Sequence, residues 1–154
     1  MTHVHIRRLN EGDLHRGFRT GSESFDMDEE GEPFTLSRYL HRDVEKGYET
    51  YVLTDDDGIY GVVSFHVRSF TNLHDTLYLS RVGVAERHRG KGYGARLMSF
   101  ILEVCYNRDI VIMCCEAISE AAPFFVALGW EEILCYDDPH WGDGCRTLIF
   151  RIPR

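Results

Sequence analysis

Residues 80–97 read SRVGVAERHRGKGYGARL, and the rest of the 154-residue chain is best understood outward from them. An alternating apolar segment ends at Val84. An amphipathic segment begins near Gly92, with Leu97, Met98, Ile101, Val104 and Cys105 spaced to line one side of a helix. Between the two lies Arg89-Gly90-Lys91-Gly92-Tyr93-Gly94. Glycines let the main chain approach a ligand closely and turn its N–H groups inward. A helix start adds free amides and partial positive charge. Arg87, Arg89, Lys91 and Arg96 bring formal charge to a chain that is otherwise acidic, with 17 Lys and Arg against 25 Asp and Glu. The combination makes an anion site that fits a pyrophosphate. The G-x-G-x-G spacing is not that of the dinucleotide-binding GxGxxG loop. Lys91 is followed by Gly92, not by the Ser or Thr of a nucleotide-triphosphate loop.

Upstream, residues 3–8 read as a strand, 10–24 as an irregular helix and loop, and the acidic residues 26–32 as a loop. Pro33 is placed to open a helix along which Leu36, Leu40 and Val44 share a face, ending at Gly47. Residues 49–54 and 59–68 form a hairpin about an Asp-Gly turn, followed by a polar loop at 69–75. A strand at 76–84 leads to the glycine loop and a helix at 92–106. Downstream, 110–115 is a nearly all-apolar central strand. Residues 119–128 form a helix with Ser119 as N-cap and Pro123 in its first turn, stopped by Gly129. Strands at 131–136 and 147–152 close the chain around a polar loop. The order predicts an α/β (α+β mixed) fold in which helices cover a mixed sheet.

The length suits one domain over 1–154. The chain has no run of about 18–20 apolar residues and no signal-like start, which points to a soluble, cytoplasmic protein without membrane attachment. A net charge of −8 disfavours nucleic acid as a partner and suits a cationic amine or basic peptide. The five cysteines are odd in number and lack a CxxC pair, so no metal site is expected.

Arg89-x-x-Gly92-x-Gly94 resembles motif A of the GNAT superfamily of N-acetyltransferases. Val82-Gly83-Val84 resembles the end of that family's fourth strand, 110–115 its fifth, and Ala121-Ala122-Pro123-Phe124-Phe125-Val126-Ala127-Leu128-Gly129-Trp130 its A-x-x-F-Y-x-x-L-G-F helix and turn. The resemblance implies a mostly antiparallel sheet of six to seven strands, V-splayed between strands four and five, with about four flanking helices. It implies acetyl-coenzyme A as co-substrate and an amine as acceptor. It assigns the pyrophosphate to the amides of Arg89, Gly90, Lys91, Gly92, Tyr93 and Gly94, with Arg87, Lys91 or Arg96 reaching phosphate. The acyl-pantetheine falls to Val82, Gly83 and Val84, and Ser119 and Phe125 complete the cofactor-binding residues. A homodimer also accords with the family.

The family's strand-four carboxylate aligns with Tyr78. Tyr78 and Ser80 are then candidates to orient a water, and Glu116 and His66 are candidate bases. The family's tyrosine acid aligns with Phe125, which leaves either unassisted thiolate departure or a donor such as Tyr93, Tyr136 or Cys114. Acidic and aromatic groups before residue 33 and in the last hairpin suit a cationic amine. Residues 79–84 and 147–153 also look similar to GNAT toxins that acetylate aminoacyl-tRNA. The acidic charge and Phe125 count against that reading. A catalytically weak acyl-coenzyme A sensor is the remaining alternative.

Overall fold

A computed structural model describes residues 3–10, 13, 26–27, 33–34, 43–55, 57–68, 75–139 and 141–153. In chain order the strands are β1 (His5–Arg8), β2 (Asp26–Met27), β3 (Pro33–Phe34), β4 (Glu49–Thr54), β5 (Ile59–Arg68), β6 (Thr76–Val84), β7 (Ile112–Ala117), β8 (Glu131–Asp138) and β9 (Gly142–Arg151). The helices are α1 (Tyr93–Asn107) and α2 (Ala122–Ala127), and a 3-10 turn spans Glu86–His88. Seven strands form one sheet in the order β1-β4-β5-β6-β7-β9-β8. The pairs β1–β4, β4–β5, β7–β9 and β8–β9 are antiparallel, whereas β6–β7 is parallel. The β6–β7 ladder runs from Thr76↔Ile112 to Leu79↔Cys115, and β6 then continues unladdered to Val84. This is the mostly antiparallel sheet, parted between two parallel strands, that the family resemblance implied.

The chain forms two compact units, Met1–His66 with Arg81–Ile101, and Val67–Ser80 with Leu102–Arg154. In the first, β4 and β5 turn about Asp55, whose Oδ1 accepts from the amides of Asp57 at 2.7 Å and Gly58 at 3.1 Å. Val52, Leu53, Ile59, Val62, Val63, Phe65, Leu97 and Ile101 are fully buried and form its core. Gly61 sits at the tightest point. A Cβ there would lie 3.0 Å from Leu97 Cδ1 and 3.2 Å from the Gly83 carbonyl oxygen. A side chain at this position would therefore push β5 away from β6 where the latter meets the glycine loop.

In the second unit β7 lies between β6 and β9, with Leu77, Met113, Cys115 and Leu148 buried. The central strand starts two residues later than its apolar run suggests. Asp109 adopts φ 56° and the Ile110 amide donates to Cys105 O at 2.9 Å, so Ile110 closes the end of α1 instead. Helix α2 is also shorter than expected. Its N-cap is Ala121, without a side-chain cap, and Ser119 lies in a preceding turn in which the Ala121 and Ala122 amides both reach Ile118 O. Gly129, at φ +94°, stops it as the sequence indicated.

Two further expectations are corrected. Pro33 does not open a helix: Pro33–Phe34 pairs antiparallel with Asp26–Met27, which the sequence had placed in a loop. Proline has no N–H to offer a ladder but is tolerated at the edge of a ribbon, so the residue fits both states. Residues 35–42, most of 10–24 and the loop 69–74 lie outside the described residues. Strands β8 and β9 extend further into their hairpin than the polar composition suggested. Asp138 Oδ1 accepts the Trp141 amide at 2.9 Å, and Gly142 and Gly144 take φ of +94° and +75°.

Because the Gly61 contact is with backbone as well as with Leu97, Gly61→Ala should lower stability by about 1–3 kcal/mol. Urea unfolding would measure this as a lower midpoint at unchanged slope. A midpoint equal to wild type would show that β5 moves away without cost.

Candidate active site

The glycine loop lies in the first unit. The 3-10 turn Glu86–His88 follows β6, and its last amide bonds close the turn, His88 N to Ala85 O at 2.8 Å and Arg89 N to Glu86 O at 3.2 Å. Arg89 Nε donates back to Val84 O at 3.0 Å. The arginine of the motif thus pins the loop to the end of β6. Gly90 and Gly92 have φ of +80° and +81°, with open space where a Cβ would stand. Only glycine adopts such angles without strain. The Arg96 amide donates to Gly92 O at 3.1 Å. Gly92 is therefore the cap of α1, and the amides between it and Arg96 have no helical acceptor. They present the positive end of the helix.

Lys91 Nζ lies 3.3 Å from His88 Nδ1, and the His88 ring packs at 4.5 Å on Tyr60. Tyr60 stacks at 5.7 Å with Tyr93 and donates its hydroxyl to Asp55 at 2.7 Å. Burial first, and then the Asp55 bond, push that phenol well above its ordinary range. Arg87 is exposed in the 3-10 turn. The Arg96 guanidinium turns to the Val4 carbonyl of the segment leading into β1, a position the sequence did not foretell. Val82 and Val84 are half-buried and Gly83 is buried between them. Gly94 lies in the first turn of α1.

The second unit carries a polar row on one face of its sheet. On β6, Leu77 and Leu79 are buried while Tyr78 is half-buried and Ser80 exposed. On β7, Met113, Cys115 and Ala117 are buried while Cys114 is half-buried and Glu116 exposed. Tyr78 is in register with Cys114 and hydrogen-bonded to it, and Arg68 lies over the Tyr78 ring at 4.8 Å. Glu116 is in register with Thr147, whose Oγ1 donates to Oε1 at 3.4 Å, and the Tyr136 hydroxyl donates to Oε2. Burial raises the Tyr78 phenol and pushes the Cys114 thiol up to about 11. Of the sequence candidates, Tyr78, Ser80 and Glu116 thus share one face. Thr147 joins them by strand register and Arg68 by its contact with the Tyr78 ring, which no spacing in the sequence announces.

The remaining candidates have different surroundings. His66 stacks on Tyr48 at 4.4 Å with both ring nitrogens shielded from solvent. Phe125 is buried, with Phe124 and Trp130 each at 5.2 Å in edge contact, so its ring belongs to the core of the second unit. Ser119 is exposed ahead of α2. The acidic residues of the last hairpin are partly committed to the turn: Asp137 Oδ1 accepts the Gly144 amide at 3.1 Å, and Asp138 caps Trp141. His140 is outside the described residues. Among those residues no group of three His, Cys, Asp or Glu side chains is arranged to hold a metal ion.

A family model described as an acetyltransferase (GNAT) domain matches residues 46–132. No curated protein matches the chain significantly. Solved structures with the same fold include the toxin–antitoxin complex AtaTR bound with acetyl-coenzyme A, at TM-score 0.69 and 20% identity, covering 97% of this chain and 93% of that one. Ard1 from Thermoplasma volcanium matches at TM-score 0.71 and 18% identity, covering 98% and 99% of the two chains. Arabidopsis thaliana Naa50, in complex with the bisubstrate analogue CoA-Ac-MVNAL, matches at 0.69 and 14%, covering 96% and 97%.

The cysteines provide a check on the second-unit face. Cys135 is exposed, whereas burial holds Cys105 and Cys115 at about 12 and Cys114 at about 11. A raised thiol pKa keeps the unreactive protonated form through neutral pH. Iodoacetamide at pH 7.5 should therefore label Cys135 first and leave Cys114 intact, as read by peptide mass mapping. Labelling of Cys114 at a comparable rate would show that the Tyr78–Cys114 contact opens readily.

Proposed function

The chain belongs to the GNAT acetyltransferase family, and on that basis we propose that it transfers an acetyl group from acetyl-coenzyme A to a primary amine by direct attack. The observation that carries this reading is the loop at the start of α1. Its two left-handed glycines leave open space at the positions where any side chain would project. The free first-turn amides of α1 suit a pyrophosphate, and Lys91 adds formal charge beside them. Arg89 donates its Nε N–H to Val84 O. Its part is to hold the loop in shape.

The amine attacks the thioester carbonyl carbon, the C–S bond breaks, and coenzyme A leaves as thiolate. Main-chain amides near Val82 and Val84 are assigned to the carbonyl oxygen, where charge develops. An amine of pKa about 10.4 must lose a proton before it can attack. Glu116 suits this task among the candidates. It is exposed, and Tyr136 and Thr147 each donate to one of its oxygens, which fixes the carboxylate's direction. His66, with its nitrogens shielded, does not meet an incoming amine.

The leaving thiolate needs a proton afterwards. Cys114, held at about 11, is a weaker acid than an ordinary thiol of about 8.5, so proton transfer from it would run uphill by about 3 kcal/mol. Tyr78 is also raised. Phe125 offers no proton. Departure without a protein acid, with the proton taken from water, is the route these groups favour. Peptide amines are within the scope of the reading, given the peptide-linked analogue bound by Naa50. The acidic net charge of −8 argues against a tRNA acceptor.

Calorimetry with acetyl-coenzyme A tests the loop directly. Wild type should bind, and Gly92→Asp should lose at least about 100-fold in affinity. That substitution strains a left-handed position and sets a carboxylate beside the phosphates. Equal affinity would remove the loop from the binding site. Separately, Glu116→Gln should lower kcat by about 100-fold or more, the usual scale of general-base loss, while leaving the affinity for acetyl-coenzyme A unchanged. An unaltered kcat would assign deprotonation of the amine to another group or to water.

A further inference from the structure

We propose that the acceptor amine also carries an anionic group, and that Arg68 receives this group while Glu116 receives the amine. The inference rests on the acetyl-transfer reading above and concerns which amines that reaction accepts. Sequence composition alone pointed instead to a cationic amine or basic peptide.

The polar row on the second unit's sheet has a cation at one end and a carboxylate at the other. Arg68 lies on β5, Tyr78 on β6, and Cys114 and Glu116 on β7. Arg68 is exposed and its guanidinium carbon lies over the Tyr78 ring, 4.8 Å from the centroid. Packing on an aromatic face fixes the plane of a guanidinium and leaves its edge N–H groups to bind a planar anion. Among the described residues no carboxylate forms an ion pair with Arg68. At the other end, Tyr136 and Thr147 hold Glu116 in one orientation. Cys114 stands between the two ends: beyond its burial and its bond to Tyr78, its thiol is pushed up by Glu116 and pulled down by Arg68. Two strand spacings of about 4.8 Å across the sheet, with two residues of about 3.3 Å each along β7 from Cys114 to Glu116, put the ends roughly 12 Å apart. That span suits a small molecule with an ammonium at one end and a carboxylate or phosphate at the other. A diamine would bring its second cation up to Arg68, and like charges there would oppose its binding.

The test compares 6-aminohexanoate with hexylamine and cadaverine as acceptors, following thiol release from acetyl-coenzyme A. Wild type should use 6-aminohexanoate with a kcat/KM at least about 10-fold above that of either other amine. Arg68→Gln should remove that preference by raising KM for 6-aminohexanoate, with hexylamine turnover and acetyl-coenzyme A affinity unchanged. Arg68→Lys should restore part of it. The proposal is overturned if wild type acetylates cadaverine or hexylamine as well as 6-aminohexanoate, or if Arg68→Gln slows all three alike. Loss of the underlying reading looks different, since wild type would then neither bind acetyl-coenzyme A in calorimetry nor release thiol with any amine.

Discussion

An α-helix cannot satisfy its own first amides, and this chain leaves that deficit open at the start of α1. Gly92 caps the helix with a left-handed backbone, and the first internal bond waits until Arg96. A side-chain cap would have closed the site. Neighbouring features keep it open and in place. Arg89 ties the loop to Val84, and Leu97 buries the next turn of the helix against Gly61. The same glycine lets β5 approach Gly83, so the strand before the loop and the helix after it share one tight contact region. The anion site follows from how this corner is packed more than from any single basic residue.

The basic residues around the loop differ in what they do. Arg89 donates to the Val84 carbonyl and Arg96 to the Val4 carbonyl, so each ties the loop or helix to the scaffold. Lys91 remains exposed, held beside His88, whose ring rests on Tyr60. Tyr60 in turn is fixed by Asp55 at the hairpin turn. A charge drawn near a phosphate site in a sequence is therefore not automatically a phosphate ligand. Its hydrogen-bond partners decide whether it is architecture or contact.

A similar division holds in the second unit. The acidic groups of the last hairpin are used to stabilise turns, whereas Glu116 is exposed yet directed by two hydroxyls. Proton donors on the same face are weak, since burial keeps Cys114 and Tyr78 in their neutral forms. The face is equipped to accept a proton and to bind charge, and poorly equipped to give a proton. That matches the absence of a hydroxyl at Phe125, which is occupied in packing against Trp130.

The glycine loop, the strand before it and the helix after it were legible in the residues. Glycine spacing, basic charge and apolar period act locally there and agree with one another. The sequence also placed the β4–β5 hairpin and the stop at Gly129, because Asp-Gly turns and left-handed glycines are properties of a few adjacent residues. It erred where local signals are ambiguous. Proline fits a helix start and an edge ribbon alike, and Ile110 is as apolar in a helix cap as in a strand. Which side chains meet became visible in the folded chain alone. Glu116 finds Thr147 through strand register, and Arg68 finds Tyr78 through a side-chain contact, both between residues distant in the chain. Register depends on the packing of whole strands, so no short window of sequence encodes it.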